Sequence, residues 1–130
     1  MPDETGRDMP MVIFEKGSPF EVPLYDGATM ERPYAMISCT LDYIPLSDIE
    51  LTGYVAGNNV FEIPAAYAPD YVLLSAVVLD EGTATSMVYL TIHPGGYVTL
   101  DRDVASGTLK LNGWSVNLCS TFYGKEVQNG

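Results

Sequence analysis

Between residues 61 and 100 the alternation of apolar and polar positions spells three strands joined by two turns. A β-branched apolar run over residues 71–79 meets Asp80-Glu81-Gly82-Thr83, and an alternating stretch over 85–92 follows. After Pro94-Gly95-Gly96 comes a second alternating stretch, residues 97–100, and the whole predicts a β-meander. Upstream, residues 35–42, 49–55 and 60–63 read as further strands. Downstream, residues 108–111 and 114–123 flank Asn112-Gly113, a pair that tolerates positive φ at both positions and so predicts a two-residue hairpin. No segment carries the 3,4,3 spacing of an amphipathic helix over three turns, and Ala65-Ala66-Tyr67-Ala68 is too short between Pro64 and Pro69. Short strands at such intervals indicate a sandwich, jelly roll or small barrel, and the expected class is all-β, an antiparallel sandwich or jelly-roll-like fold with very little helix.

The first quarter of the chain breaks this rhythm. Pro2, Pro10, Pro19, Pro23 and Pro33 interrupt short apolar patches, and proline cannot donate to a sheet ladder, so the segment supplies edge strands at best. Residues 1–33 are therefore expected to be an extended Pro-rich arm, folded back on its own sandwich or reaching a neighbouring subunit, and residues 34–130 the β-sandwich domain. Met11, Val12, Phe14 and Phe20 are the arm residues expected at an interface. A second apolar surface is expected within the meander. Opposite the face of Val88, Leu90 and Ile92 stand Met87, Tyr89 and Thr91, and the 71–79 run is apolar on both sides, so these strands need two covers. A further copy of the chain is the expected second cover, with Met87 and Tyr89 at the contact.

Composition narrows the function classes. Hydrophobic residues make up 47% of 130 residues, enough for the core of one domain, and the formal net charge is -11. Nucleic acid is not an expected partner, because phosphate binding needs clustered Lys and Arg, and the six here are scattered. No run of about 18–20 apolar residues predicts membrane insertion. The acidic, Pro-containing start lacks the basic and apolar regions of a secretory signal, so synthesis and assembly in a cytoplasm are expected. Cys39 shares an alternation face with Ile37 and Leu41, whereas Cys119 lies opposite Trp114, Val116 and Leu118, so two reduced thiols are expected rather than a bridge.

Candidate chemistry is sparse. His93 is the single histidine, no Cys-x-x-Cys or Gly-x-Ser-x-Gly occurs, and neither catalytic residues, metal ligands nor a cofactor are expected. The carboxylate pairs Asp80-Glu81 and Asp101-x-Asp103 sit at strand ends, where they commonly accept bonds from turn amides. Nine tyrosines offer aromatic faces for stacking on pyranose rings. Tyr67, Tyr71, Tyr97 and Tyr123, near strand ends, are the candidates to face such a ligand, with a core or interface role as the leading alternative.

The order Phe61-Glu62-Ile63-Pro64, Ala66-Tyr67-Ala68-Pro69, a β-run, Tyr89-Leu90-Thr91-Ile92 and Pro94-Gly95-Gly96-Tyr97-Val98-Thr99-Leu100 resembles the C-terminal domains of bacteriophage tail-fibre, tail-tip and baseplate proteins. Leu111-Asn112-Gly113-Trp114-Ser115-Val116 resembles their closing strand. Ala66 and Ala68 stand where those domains carry glycine and arginine. The resemblance implies a β-sandwich module of a virion surface: a homotrimer, bound to other capsid or tail proteins and located on the virion after assembly in the host cytoplasm. With the arm, and without room for a long fibre shaft, it implies a capsid decoration, cement or head-fibre protein or a compact tail component. The alternative is a receptor- or carbohydrate-binding module of a phage adhesion device, with a host surface glycan as partner.

Overall fold

The computed structural model describes residues 17–118, which form two antiparallel sheets and a single 3-10 turn, Ala65–Tyr67. The strands are β1 (Phe20–Glu21), β2 (Ala28–Met30), β3 (Tyr34–Ile37), β4 (Asp42–Pro45), β5 (Ile49–Tyr54), β6 (Asn59–Glu62), β7 (Leu73–Asp80), β8 (Thr85–Ile92), β9 (Tyr97–Leu100), β10 (Val104–Lys110) and β11 (Val116–Asn117). Seven make the large sheet, in the order β2-β5-β10-β7-β8-β9-β6, and four the small one, β11-β4-β3-β1. The all-β, sandwich-like class is as expected. So is the meander: β7, β8 and β9 are neighbours, with Val77 opposite Val88 and Val98 opposite Ile92.

The large sheet is nearly closed into a barrel, one of the all-β forms that the strand spacing admits. Its outer strand β6 is met by the segment before β2. Leu24 bridges Phe61, the Tyr25 N–H donates to the Val60 carbonyl at 3.1 Å, and the Glu62 N–H donates to the Pro23 carbonyl at 3.2 Å. The chain then turns at Asp26-Gly27 and joins β5 at the other edge as β2, with Ala28 opposite Leu51. Gly27 makes this turn possible: its φ is +88°, and a Cβ there would sit 2.7 Å from the Thr52 carbonyl oxygen. Two edges that would otherwise expose unpaired backbone are thereby brought to one seam.

Over its described part the expected arm lies back on its own sandwich, one of its two expected courses. Phe20, Val22 and Ala28 are buried, and β1 and β2 lie at sheet edges, the place that the neighbouring prolines allow. Residues 17–33 belong to the folded body. Phe20, expected at an interface, is buried within the chain itself, its ring 6.2 Å from that of Tyr43. Met11, Val12 and Phe14 lie outside the described residues.

Two further expectations change. Asn112-Gly113 is a turn, but the strands it joins do not pair with each other: β10 stays in the large sheet, and β11 pairs with β4 in the small one. The corner is held by Asp48, whose Oδ1 accepts the N–H groups of Leu111 and Asn112 at 2.8 and 2.7 Å. Cys39 is exposed rather than inward, because β3 ends at Ile37 and a tight turn with Leu41 at φ +65° breaks the alternation before Cys39 can share its face. Cys119 lies outside the described residues.

Between the sheets lies one apolar core. Tyr43 of β4 stacks on Phe61 of β6, ring centroids 5.8 Å apart, and Ile37, Leu51, Leu79, Leu90, Ile92 and Leu109 are fully buried around them. At β6 two successive residues, Val60 and Phe61, point inward, because a bulge shifts the register so that Val98 faces Phe61 and Thr99 faces Asn59. The Tyr43 hydroxyl is buried and has no hydrogen-bond partner among the described residues, and burial pushes its pKa up. An unsatisfied buried hydroxyl costs about 1–3 kcal/mol. Tyr43→Phe, which keeps both ring contacts, is therefore expected to raise the urea midpoint by an amount worth about 1 kcal/mol. A fall in the midpoint would show that the hydroxyl is bonded.

Candidate functional site

The register of the meander fixes what its outer surface carries. Inside, Leu73, Ile92, Val98 and Phe61 form one cross-strand row facing the core. Side chains alternate along a strand, so the neighbouring positions point outward. Leu74 lies opposite Thr91, Ala76 opposite Tyr89 and Val78 opposite Met87, all on the outside. Leu74 and Met87 are each 60% exposed, Tyr89 57% and Val78 37%. Val72, just before β7, is 58% exposed.

These side chains adjoin one another across a two-strand pair, where directly opposed residues are in contact range. Single exposed hydrophobics are ordinary, whereas a contiguous set marks an interaction surface. Its borders are polar. Lys110 of β10 stands beside Val78 and reaches Asp48, Nζ to Oδ2 3.3 Å, while Asp80 and Thr85 close the hairpin end. Trp114 holds the flank: β10 ends at Lys110, and the indole Nε1–H beyond it donates to the Ala76 carbonyl at 3.1 Å. Lys110 is a basic group on this border, and Asp80 accepts the Gly82 N–H at 2.9 Å within its own turn.

Met87 and Tyr89 stand where an interface was expected, on an exposed apolar face of described chain. Leu74, Val78 and Val72 belong to the same surface and were not singled out, although the doubly apolar 71–79 run carried the signal. Which of its residues face outward depends on the strand starting at Leu73, which the run alone does not specify.

The expected ligand-facing tyrosines separate. Tyr67 is half-buried in the 3-10 turn and packs against the core. Tyr71 is 37% exposed just ahead of β7, and Tyr123 lies outside the described residues. Tyr97, 43% exposed, starts β9 opposite Glu62 on one side and His93 on the other. Glu62 in turn accepts the hydroxyl proton of Tyr25, which the seam brings onto the same outer surface. That bond, with burial and the nearby Glu62 charge added, pushes the Tyr25 hydroxyl up to about 12. The His93 ring is bonded through Nε2 to Thr99 Oγ1 at 2.9 Å.

Three other carboxylates are held by nearby loop and strand-end groups. Asp103 accepts the Ala56 N–H at 2.8 Å, and Glu81 pairs with Arg102 at 3.3 Å. Asp42 accepts from Asn117, Thr40 and Ser38, and these bonds hold its carboxyl below the usual range against the opposing effect of burial. Among the described residues no group of three or more His, Cys, Asp or Glu is placed to hold a metal ion, and no helix is long and apolar enough to cross a membrane. Compared with family models, with curated proteins and with solved structures, the chain matches none.

Proposed function

We propose that this chain is a non-enzymatic structural protein of a bacteriophage virion, a capsid decoration or cement protein or a compact tail component, which assembles as a homo-oligomer through the outer face of β7 and β8. The observation that carries the reading is that face: Leu74, Val78, Met87 and Tyr89 form a contiguous apolar surface on a chain of net charge -11. Acidic charge keeps copies apart elsewhere, so this weakly charged apolar surface directs where they meet. The order of Pro, Tyr and Gly landmarks from Phe61 to Leu100 supports a virion module. A trimer is the assembly that this resemblance implies.

In this role the mechanism is interfacial. Each of the large exposed side chains contributes about 1.5–3 kcal/mol when fully buried, so a few of them meeting a second copy offset the cost of association. Residues 1–16, with Met11, Val12 and Phe14, are the proposed attachment to other virion proteins. The test is peptide mass spectrometry of virions purified from the phage whose genome encodes the chain. Many copies per particle are expected for the full chain, and few for a chain lacking residues 1–15, which leaves β1 intact. Absence of the full chain from infectious particles would overturn the virion assignment.

A further inference from the structure

Where the barrel closes, a second surface of different chemistry is built. The seam sets Tyr25 beside β6, and the β6–β9 register sets Tyr97 opposite Glu62, so two aromatic rings flank one carboxylate on the outside of the sheet. Next to it the Asp26-Gly27 turn and the Gly57-Asn58 turn approach each other and leave a cleft of about 470 Å³. Leu24, Tyr25, Asp26, Gly57, Asn58 and Asn59 line it. A partly open ring beside planar carboxylate and amide groups offers both halves of sugar recognition. The ring stacks on the C–H face of a pyranose, and the acceptors and donors pair with its vicinal hydroxyls.

The geometry points to a saccharide-binding subsite along this seam, with Tyr97 as the stacking platform and Glu62, Tyr25, Asn58 and Asn59 as the groups that bond the hydroxyls of a neutral pyranose. Glu62 Oε2 accepts from Tyr25, which orients the carboxylate and leaves its other oxygen to accept sugar hydroxyls. The Tyr25 oxygen keeps acceptor capacity, and the Asn58 and Asn59 amides supply donors. Backbone bonds on both sides of the seam hold the platform, since Tyr25 and Glu62 are each tied through their own N–H groups. Gly95 leaves the Tyr97 ring uncrowded: even a Cβ there would lie 3.9 Å from the nearest ring atoms.

Charge selects within the sugars. Glu62 and Asp26 border the site, no Lys or Arg lines the cleft among the described residues, and the chain as a whole is strongly acidic, so uronic and sialic acids are disfavoured against neutral hexoses and N-acetylhexosamines. This subsite does not depend on the assembly role. It borders the β7–β8 face, with Thr91 and Thr99 between Leu74 and Asn59, but shares none of that face's apolar residues.

The experiment is a titration of the full chain, followed by NMR, with methyl glucopyranoside, methyl galactopyranoside, N-acetylglucosamine and N-acetylneuraminic acid. At least one of the three neutral sugars is expected to bind saturably with Kd on the order of 1 mM, and N-acetylneuraminic acid more weakly. Tyr97→Ala and Glu62→Gln should each weaken that binding about tenfold, Tyr97→Phe should preserve it, and Tyr89→Glu on the neighbouring face should leave it within about twofold. Tyr25→Phe serves as the second probe of the seam if Tyr97→Ala does not fold. Failure of all three neutral sugars to saturate overturns the proposal, as does binding that survives both Tyr97→Ala and Glu62→Gln, or a preference for the acidic sugar. Native mass, read on the same samples, reports the assembly role separately.

Discussion

Gly96→Ala is expected to abolish most of the folded population. Gly96 sits at φ +104°, and a Cβ there would lie 2.1 Å from the Ile63 carbonyl oxygen, well inside contact distance and against backbone rather than a side-chain tip. No rotamer relieves such a clash. The same residue accepts the Ile63 N–H at 2.7 Å and donates to the His93 carbonyl at 2.9 Å, so moving it away also breaks the link between the end of β6 and the β8–β9 turn. A backbone displacement that unpairs buried groups costs more than about 3 kcal/mol, a large part of the stability of a domain this size. Gly95 is the internal comparison. Its φ is +98°, yet it has only a 3.9 Å contact with the Tyr97 ring, so Gly95→Ala should cost about 1–2 kcal/mol, from conformational strain alone. Urea unfolding of the two variants checks this. Equal losses would mean that the Ile63 approach is not part of the native packing.

The second large effect concerns assembly rather than folding. Met87 and Tyr89 are mostly exposed in the single chain, and substitutions at such positions change monomer stability by about 0.5 kcal/mol or less. At a buried contact between copies, the same positions would carry much of the binding. Introducing Glu at both desolvates two charges in an apolar surface and repels like charge on the partner, so the double variant Met87→Glu, Tyr89→Glu should be monomeric at every concentration at which the parent chain is oligomeric. Its unfolding midpoint, extrapolated to low concentration, should match that of the parent. A double variant that unfolds well below the parent would place Met87 and Tyr89 in the fold's own packing.

Much of the fold is legible along the chain because its strands obey simple alternation. Residues 85–92 and 97–100 are strands from end to end, since apolar residues at every second position have one way to reach a core and the Gly-containing turns fix where they stop. Which segments close the large sheet is not legible. Closure depends on Pro23-Leu24-Tyr25 pairing with residues nearly forty positions later, a non-local contact that no local pattern announces, and the prolines around it read as a break in structure. Asn112-Gly113 misleads for a related reason: the turn chemistry is correct, but Asp48, far away in sequence, redirects the chain into the other sheet. The β6 bulge likewise breaks alternation at Val60 and Phe61, and so conceals which residues of 59–62 face outward.

The two surfaces differ in the same way. The apolar face of β7 and β8 comes from consecutive strands, and its excess of hydrophobic positions is visible in the residues themselves. The seam cluster draws Tyr25, Glu62 and Tyr97 from three separate segments, two of them joined only when the barrel closes. Tyr97 was singled out by its place at a strand end. Its partners had no such mark.

The β7–β8 face as the site of self-association is the central claim, and native mass spectrometry of the full chain tests it most directly. The prediction is a single closed oligomer for the parent chain and a monomer for the Met87→Glu, Tyr89→Glu variant. A monomeric parent, or an oligomer that the double variant leaves intact, would contradict it.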